Sequence, residues 1–120
     1  MNYSIGQFST ITNISSPTLR YYEKEQILVT NRDAIGRRFY TQEDITWIMF
    51  IKKLKDTGMS IKDIREYAIL RYQGDSTMQQ RLEILEKHKA FVMEEKAKWE
   101  RNLQNLDEKI EIYKSRLNLQ

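Results

Sequence analysis

Apolar residues recur at helical spacing in successive stretches of this chain, and the breaks between them set out its elements. Phe8, Ile11 and Ile14 follow Ser4-Ile5-Gly6-Gln7, an S/T-x-x-E/Q capping box, so a first short helix is expected to end near Asn13. Ser16 is a good N-cap residue and Pro17 suits the first helical position, so a second helix should run to about Glu25. The few residues between the two fit the tight turn of a helix-turn-helix pair. At about 100° per residue, Pro17, Arg20, Tyr21 and Lys24 share one face of the second helix, with Leu19 and Tyr22 opposite. A helix this short is marginal in water, so neighbours must hold its apolar side.

After Glu25 the period changes. Ile27-Leu28-Val29 is a β-prone run, Asn31 to Gly36 carries turn residues, and Arg37-Arg38-Phe39-Tyr40 resumes with β-compatible types, which predicts a small hairpin or wing. Strand alternation would send Arg38 and Tyr40 outward and Phe39 inward. Thr41 with Asp44 then caps a helix in which Ile45, Trp47, Ile48, Met49, Phe50, Ile51 and Leu54 are apolar almost all round, as in a helix packed on two faces. Thr57-Gly58-Met59 ends it, and Ser60 with Asp63 caps a fourth helix buried through Ile61, Ile64 and Ala68.

Beyond Gly74, Ser76 with Gln79 is expected to cap a last helix that meets neither Gly nor Pro through Gln120. Its apolar positions alternate four and three in a heptad seam: Leu82, Leu85, Val92, Trp99, Leu103, Leu106, Ile110, Tyr113 and Leu117, interrupted at Lys89 and Lys96. Such a helix is on the order of 60 Å long. A domain of residues 1–74 cannot cover all of it, and each large side chain left in water forfeits roughly 1.5–3 kcal/mol. Residues 75–120 therefore form a dimerisation helix whose cheapest partner is a second copy of the chain.

Composition narrows the classes. With 120 residues, 40% hydrophobic and 31% charged, one proline and four glycines, this is a folded and mostly α chain. The balance of 20 basic against 17 acidic residues admits a polyanionic partner without requiring one. With no cysteine and a single histidine, disulfides, thiol sensing and an all-protein metal site are excluded, and no cofactor is called for. No nucleophile and base pair or Gly-rich phosphate loop argues for an enzyme. No apolar run is long enough for a membrane span and no signal peptide opens the chain, so a cytoplasmic location is expected.

Four motifs carry a family resemblance: Tyr3-Ser4-Ile5-Gly6; Thr18-Leu19-Arg20-Tyr21-Tyr22-Glu23; Arg32 followed by Gly36-Arg37-Arg38-Phe39-Tyr40; and Leu54-Lys55-Asp56-Thr57-Gly58-Met59-Ser60. In this order they resemble the MerR family of bacterial transcription regulators. The resemblance implies a winged helix-turn-helix domain followed by a long C-terminal dimerisation helix in an antiparallel coiled coil. It also implies a homodimer on a double-stranded promoter operator, which bends and untwists DNA so that RNA polymerase can engage. An architectural or excisionase-like DNA-bending protein would use the same residues.

The family pattern carries DNA contact onto Arg20 and Tyr21, the pair that the helical wheel also turns outward with Pro17 and Lys24. An arginine there can reach guanine O6 and N7, and a tyrosine hydroxyl commonly meets phosphate. Ser16 and Thr18 could donate to phosphate at the helix N-terminus. Arg32, Arg38 and Tyr40 match wing positions that touch the backbone or the flanking minor groove, whereas Arg37 has no firm family counterpart. An effector, if one acts, is expected to be a small apolar or aromatic molecule between the DNA-binding domain and the coiled coil, beside Trp47, Phe50, Tyr67, Tyr72, Phe91 and Trp99. The alternative is that these aromatics pack the domain onto the long helix.

Overall fold

A computed structural model describes residues 2–118. The elements are α1 (Ile5–Thr12), α2 (Ser16–Lys24), β1 (Asn31–Arg32), β2 (Arg38–Phe39), α3 (Gln42–Asp56), α4 (Ile61–Gln73) and α5 (Met78–Arg116), with a single 3-10 turn at Asp75–Thr77. The chain divides into two units, residues 1–84 and 85–120.

In the first unit the termini of the helices follow their cap chemistry. Ser4 Oγ accepts from the Gln7 amide while Gln7 Oε1 accepts from the Ser4 amide, and Thr41 and Asp44 repeat the reciprocal pair at the start of α3. Asn13 takes the left-handed conformation that turns the chain from α1 towards α2. At the start of α2 the cap is Ser15, one residue earlier than expected: its hydroxyl accepts from the Thr18 amide at 3.3 Å and donates to Thr18 Oγ1 at 2.8 Å. Ser16 is therefore the first helical residue.

The core gathers Phe8, Ile14, Leu19, Tyr22, Ile27, Leu28, Ile45, Ile48, Ile51, Leu54 and Ile64, which joins α1 and α2 to α3 and α4. Ile27 to Val29 do not form a strand. The amides of Ile27 and Leu28 both bond to the Tyr22 carbonyl, ending α2 around Gln26 at φ 63°, and the two side chains go into the core. The Trp47 indole then donates to the Ile27 carbonyl at 2.8 Å, which locks this connection onto α3. The wing is consequently shorter and later than expected: β1 and β2 pair antiparallel as Asn31 with Phe39 and Arg32 with Arg38.

Between α4 and α5 the expected Ser76 cap is absent. The Thr77 hydroxyl bonds to the carbonyls of Leu70 and Gly74 instead and pins the 3-10 turn. In the second unit α5 continues to Arg116, short of the expected Gln120, and residues 119–120 lie outside the described ones. Trp99, Leu103, Leu106, Ile110, Tyr113 and Leu117 are all exposed there, Trp99 at 72%. Among the described residues no helix is long and apolar enough to cross a membrane.

Candidate nucleic-acid interface

Helix α2 divides as its wheel predicts. Leu19 and Tyr22 are buried, whereas Pro17, Arg20, Tyr21 and Lys24 are exposed; Ser16 and Thr18 are half-buried at the first turn. The buried pair fixes the helix on the core and leaves a guanidinium, a phenol and an ammonium on the outside.

The wing adds three more cations. Arg32 and Arg38 stand directly across the β1/β2 ladder and are both exposed, and Arg37 projects beside them. Like charges directly opposite one another in a ladder are generally destabilising. Some of that charge has a neighbour: Arg38 Nη1 lies 3.6 Å from Glu23 Oε2 on α2.

Glu23 also receives the hydroxyl of Tyr40, and here the structure corrects the sequence. Tyr40 does not face outward beside Arg38; it is fully buried, its ring stacked 4.4 Å from that of Phe8. The cause is the end of the β1 pairing at Phe39. Tyr40 instead exchanges both backbone hydrogen bonds with Tyr3, at 2.7 and 2.8 Å, which brings its side chain down onto α1. Burial first, then the bond to Glu23, pushes its phenol well above the ordinary tyrosine range, so it stays a proton donor. Tyr40 is thus a strut between wing and α2 and has no surface to offer DNA.

The tip of the wing is tied by Asp33. Its Oδ1 accepts from the amides of Ile35 and Arg37, its Oδ2 from Arg37 Nε at 3.2 Å, and Arg32 Nη1 donates to the Gly36 carbonyl at 3.0 Å. The Arg37 amide above all, helped by the Ile35 amide and the Arg37 side chain and opposed by burial, holds the Asp33 carboxyl below its usual value. Gly36, at φ +84°, makes the turn that closes this network. Glu23 and Asp33 are not singled out by the sequence pattern, and Asp44, expected only as the α3 cap partner, also receives Asn31 Nδ2. Asp33 had a signal, since an Asp opening a turn commonly caps it; Glu23 had none, because its partners lie about fifteen residues away.

Within the first unit, four of the aromatic residues expected beside an apolar effector pack on one another. Trp47 stacks on Tyr67 at 5.8 Å and meets Tyr72 edge-on, Phe50 packs against Tyr67, and the Arg71 guanidinium lies 4.2 Å above Trp47. Phe91 and Trp99 are exposed on α5. The cavity of the first unit, about 510 Å³, is lined by Val29, Asn31, Thr41, Glu43, Asp44, Arg71, Tyr72, Asp75 and Arg81, so only Tyr72 of the six belongs to it and its wall is polar. Much of that wall is already engaged: Arg71 with Glu43, Arg81 with Thr77 and Gly74, Asp44 with Asn31 and Thr41, and the Tyr72 oxygen with the Val29 amide. No group of His, Cys, Asp and Glu among the described residues could hold a metal ion.

A helix-turn-helix pair with an arginine-bearing wing defines a DNA-binding module. Residues 3–68 match the family described as MerR HTH family regulatory protein, and residues 45–111 match that described as MerR, DNA binding. The chain belongs to the MerR family and is a DNA-binding transcriptional regulator. It is 36% identical over 114 residues to an uncharacterised HTH-type transcriptional regulator of Haemophilus influenzae, covering 94% of this chain and 84% of that one. To the Bacillus subtilis HTH-type regulator YyaN it is 42% identical over 99 residues, 72% of each chain. Among solved structures it superposes on HiNmlR, a MerR family regulator lacking the sensor domain and bound to promoter DNA, with a TM-score of 0.86 at 35% identity over 99% of this chain and 95% of that one. A MerR family regulator from Bacillus thuringiensis gives 0.81 at 31% identity, over 94% and 100% of the two chains. These relatives are transcriptional regulators, not enzymes.

Proposed function

We propose that two copies of this chain bind a pseudo-palindromic promoter operator and distort it to control transcription, in the cytoplasm and in concert with RNA polymerase. Each copy sets α2 in the major groove, where Arg20 reads a base edge and Tyr21, Lys24 and Thr18 contact the flanking backbone, with Ser16 and Pro17 at the helix entry. Arg32, Arg37 and Arg38 of the wing hold phosphates beside it.

The observation that carries this reading is the cross-strand pair Arg32 and Arg38, exposed and directly opposed. A ladder that gives up stability to hold two guanidiniums together suits a backbone of phosphates. The dimer is supported by the exposed stripe on α5, whose heptad period fits a coiled coil with another long helix. A second copy of the same helix carries the same period, which makes it the simplest partner.

Selection of bound duplexes from a random pool tests the proposal. The recovered sites should be inverted repeats. Arg20→Ala should then weaken binding to the selected site by about 1–3 kcal/mol while changing binding to random duplex much less. Equal losses on the two would remove Arg20 from base reading. A promoter-transcription assay on the selected site separates a regulator from a purely architectural DNA-bending protein.

A further inference from the structure

Ile35 sits at the tip of the wing and is 72% exposed, more than any other large apolar residue described in the first unit. Turn positions favour Gly, Asn, Asp, Ser and Pro, each for a conformational reason; a β-branched isoleucine offers the turn nothing. Nor is it loosely held. The Ile35 amide donates to Asp33 Oδ1 at 3.0 Å, the Gly36 amide to the Asp33 carbonyl at 3.0 Å, and the Asp33 amide to the Arg37 carbonyl at 2.9 Å. The hydrogen-bond network around Asp33 thus presents a methyl-bearing side chain on a prepared backbone, so little ordering remains to be done when a partner covers it.

The neighbours of Ile35 say what that partner is. Arg32, Arg37 and Arg38, all exposed, flank the tip along the two strands of the wing, so the surface that suits it is a polyanion with hydrocarbon between its charges. Duplex DNA offers this at the minor groove, where deoxyribose faces line the walls between two rows of phosphates. We infer that Ile35 enters the minor groove flanking the half-site and selects A·T pairs there. In that groove an A·T pair shows only the adenine N3 and thymine O2 acceptors, whereas a G·C pair adds the guanine N2 amino group. A branched alkyl group pressed against that amino group would strip its water and return no hydrogen bond. This selection rests on the proposed binding mode, with α2 in the adjacent major groove.

The test uses the full-length protein and its selected operator, with the flanking pairs set as A·T, G·C or inosine·C. Inosine lacks the N2 amino group, so inosine·C resembles A·T in the minor groove and G·C in the major one. Wild type should bind A·T and inosine·C flanks alike and G·C flanks about five- to tenfold more weakly, at the low end of single-pair discrimination. Ile35→Asn, which places a turn-favouring residue at the tip, should bind all three flanks equally while keeping the salt dependence of wild type. Arg38→Ala, in contrast, should keep the flank preference and lower the salt slope by about one. A flank preference unchanged in Ile35→Asn, or inosine·C flanks bound like G·C, would overturn the inference and leave the operator reading standing. Failure of wild type to bind any duplex at low salt would overturn both.

Discussion

The two units treat their apolar side chains in opposite ways. In residues 1–84 Phe8, Leu19, Tyr22, Ile27, Leu28, Ile48, Ile51 and Ile64 are almost wholly inside, and Trp47, though polar at one end, has its indole N–H satisfied by Ile27. In residues 85–118 the large apolar residues Trp99, Leu103, Leu106, Ile110 and Tyr113 stand in water on a regular heptad. The first unit buries its large apolar side chains within itself, and the second leaves a stripe of them exposed. A helix of 39 residues has its backbone satisfied by its own ladder, so nothing in its hydrogen bonding requires a partner; only its side chains do.

The largest expected effect tests that contrast at the seam. Leu103→Asp combined with Leu106→Asp should leave the fold of the first unit intact by circular dichroism, because both side chains are exposed in the single chain. It should nevertheless abolish the dimer in sedimentation equilibrium. Removing one buried leucine costs about 2–5 kcal/mol, and two-fold symmetry places each change in the interface twice. A double variant that sediments like wild type would show that the stripe is not the interface.

Inside the first unit, Tyr40→Ala should lower the unfolding free energy by about 3–5 kcal/mol, since it empties the space against Phe8. Tyr40→Phe keeps the ring and loses only the hydroxyl to Glu23, so about 1.5–3 kcal/mol is expected from urea unfolding. A Tyr40→Phe variant as stable as wild type, yet much weaker on DNA, would return Tyr40 to the interface. Trp47→Phe leaves the Ile27 carbonyl without its donor and should cost about 1–3 kcal/mol, a loss that thermal unfolding would detect.

The smallest effect belongs to Asp33. Its folded pKa is depressed, so the stabilisation it gives the wing is fully present above the unfolded carboxylate value of about 3.9 and is lost as pH falls through the lower folded value. Amide exchange at Ile35 and Arg37 should therefore show an unchanged protection between pH 7 and 5 and release only below about pH 4. Release already at pH 5 would mean that the carboxylate does not hold the tip.

Which of these features could be foreseen depends on how far along the chain their causes lie. The capping boxes at Ser4 and Thr41, the turn at Gly58, and the buried and exposed sides of α2 are set within four residues, and local pattern was enough to find them. Two adjacent serines made the α2 cap ambiguous by one position. The misplaced wing strand has a different origin: Ile27 and Leu28 have strand-like side chains, but the core beneath α2 claims both. Alternation, a local rule, turns Tyr40 outward, while its actual partner Tyr3 is separated from it by α1, α2, β1 and β2. Trp47, Phe50, Tyr67 and Tyr72 are taken up by one another and by Arg71, a packing decision no spacing rule contains.

Glu23 joins the exposed helix to the wing through Tyr40 and Arg38, so the two do not hinge freely about each other. On the proposed binding mode they would act as the fixed jaws of a gauge. A duplex that did not match the opening would then have to yield, and since sequences differ in how readily they yield, part of the choice of site would be made by the stiffness of base steps that no side chain touches.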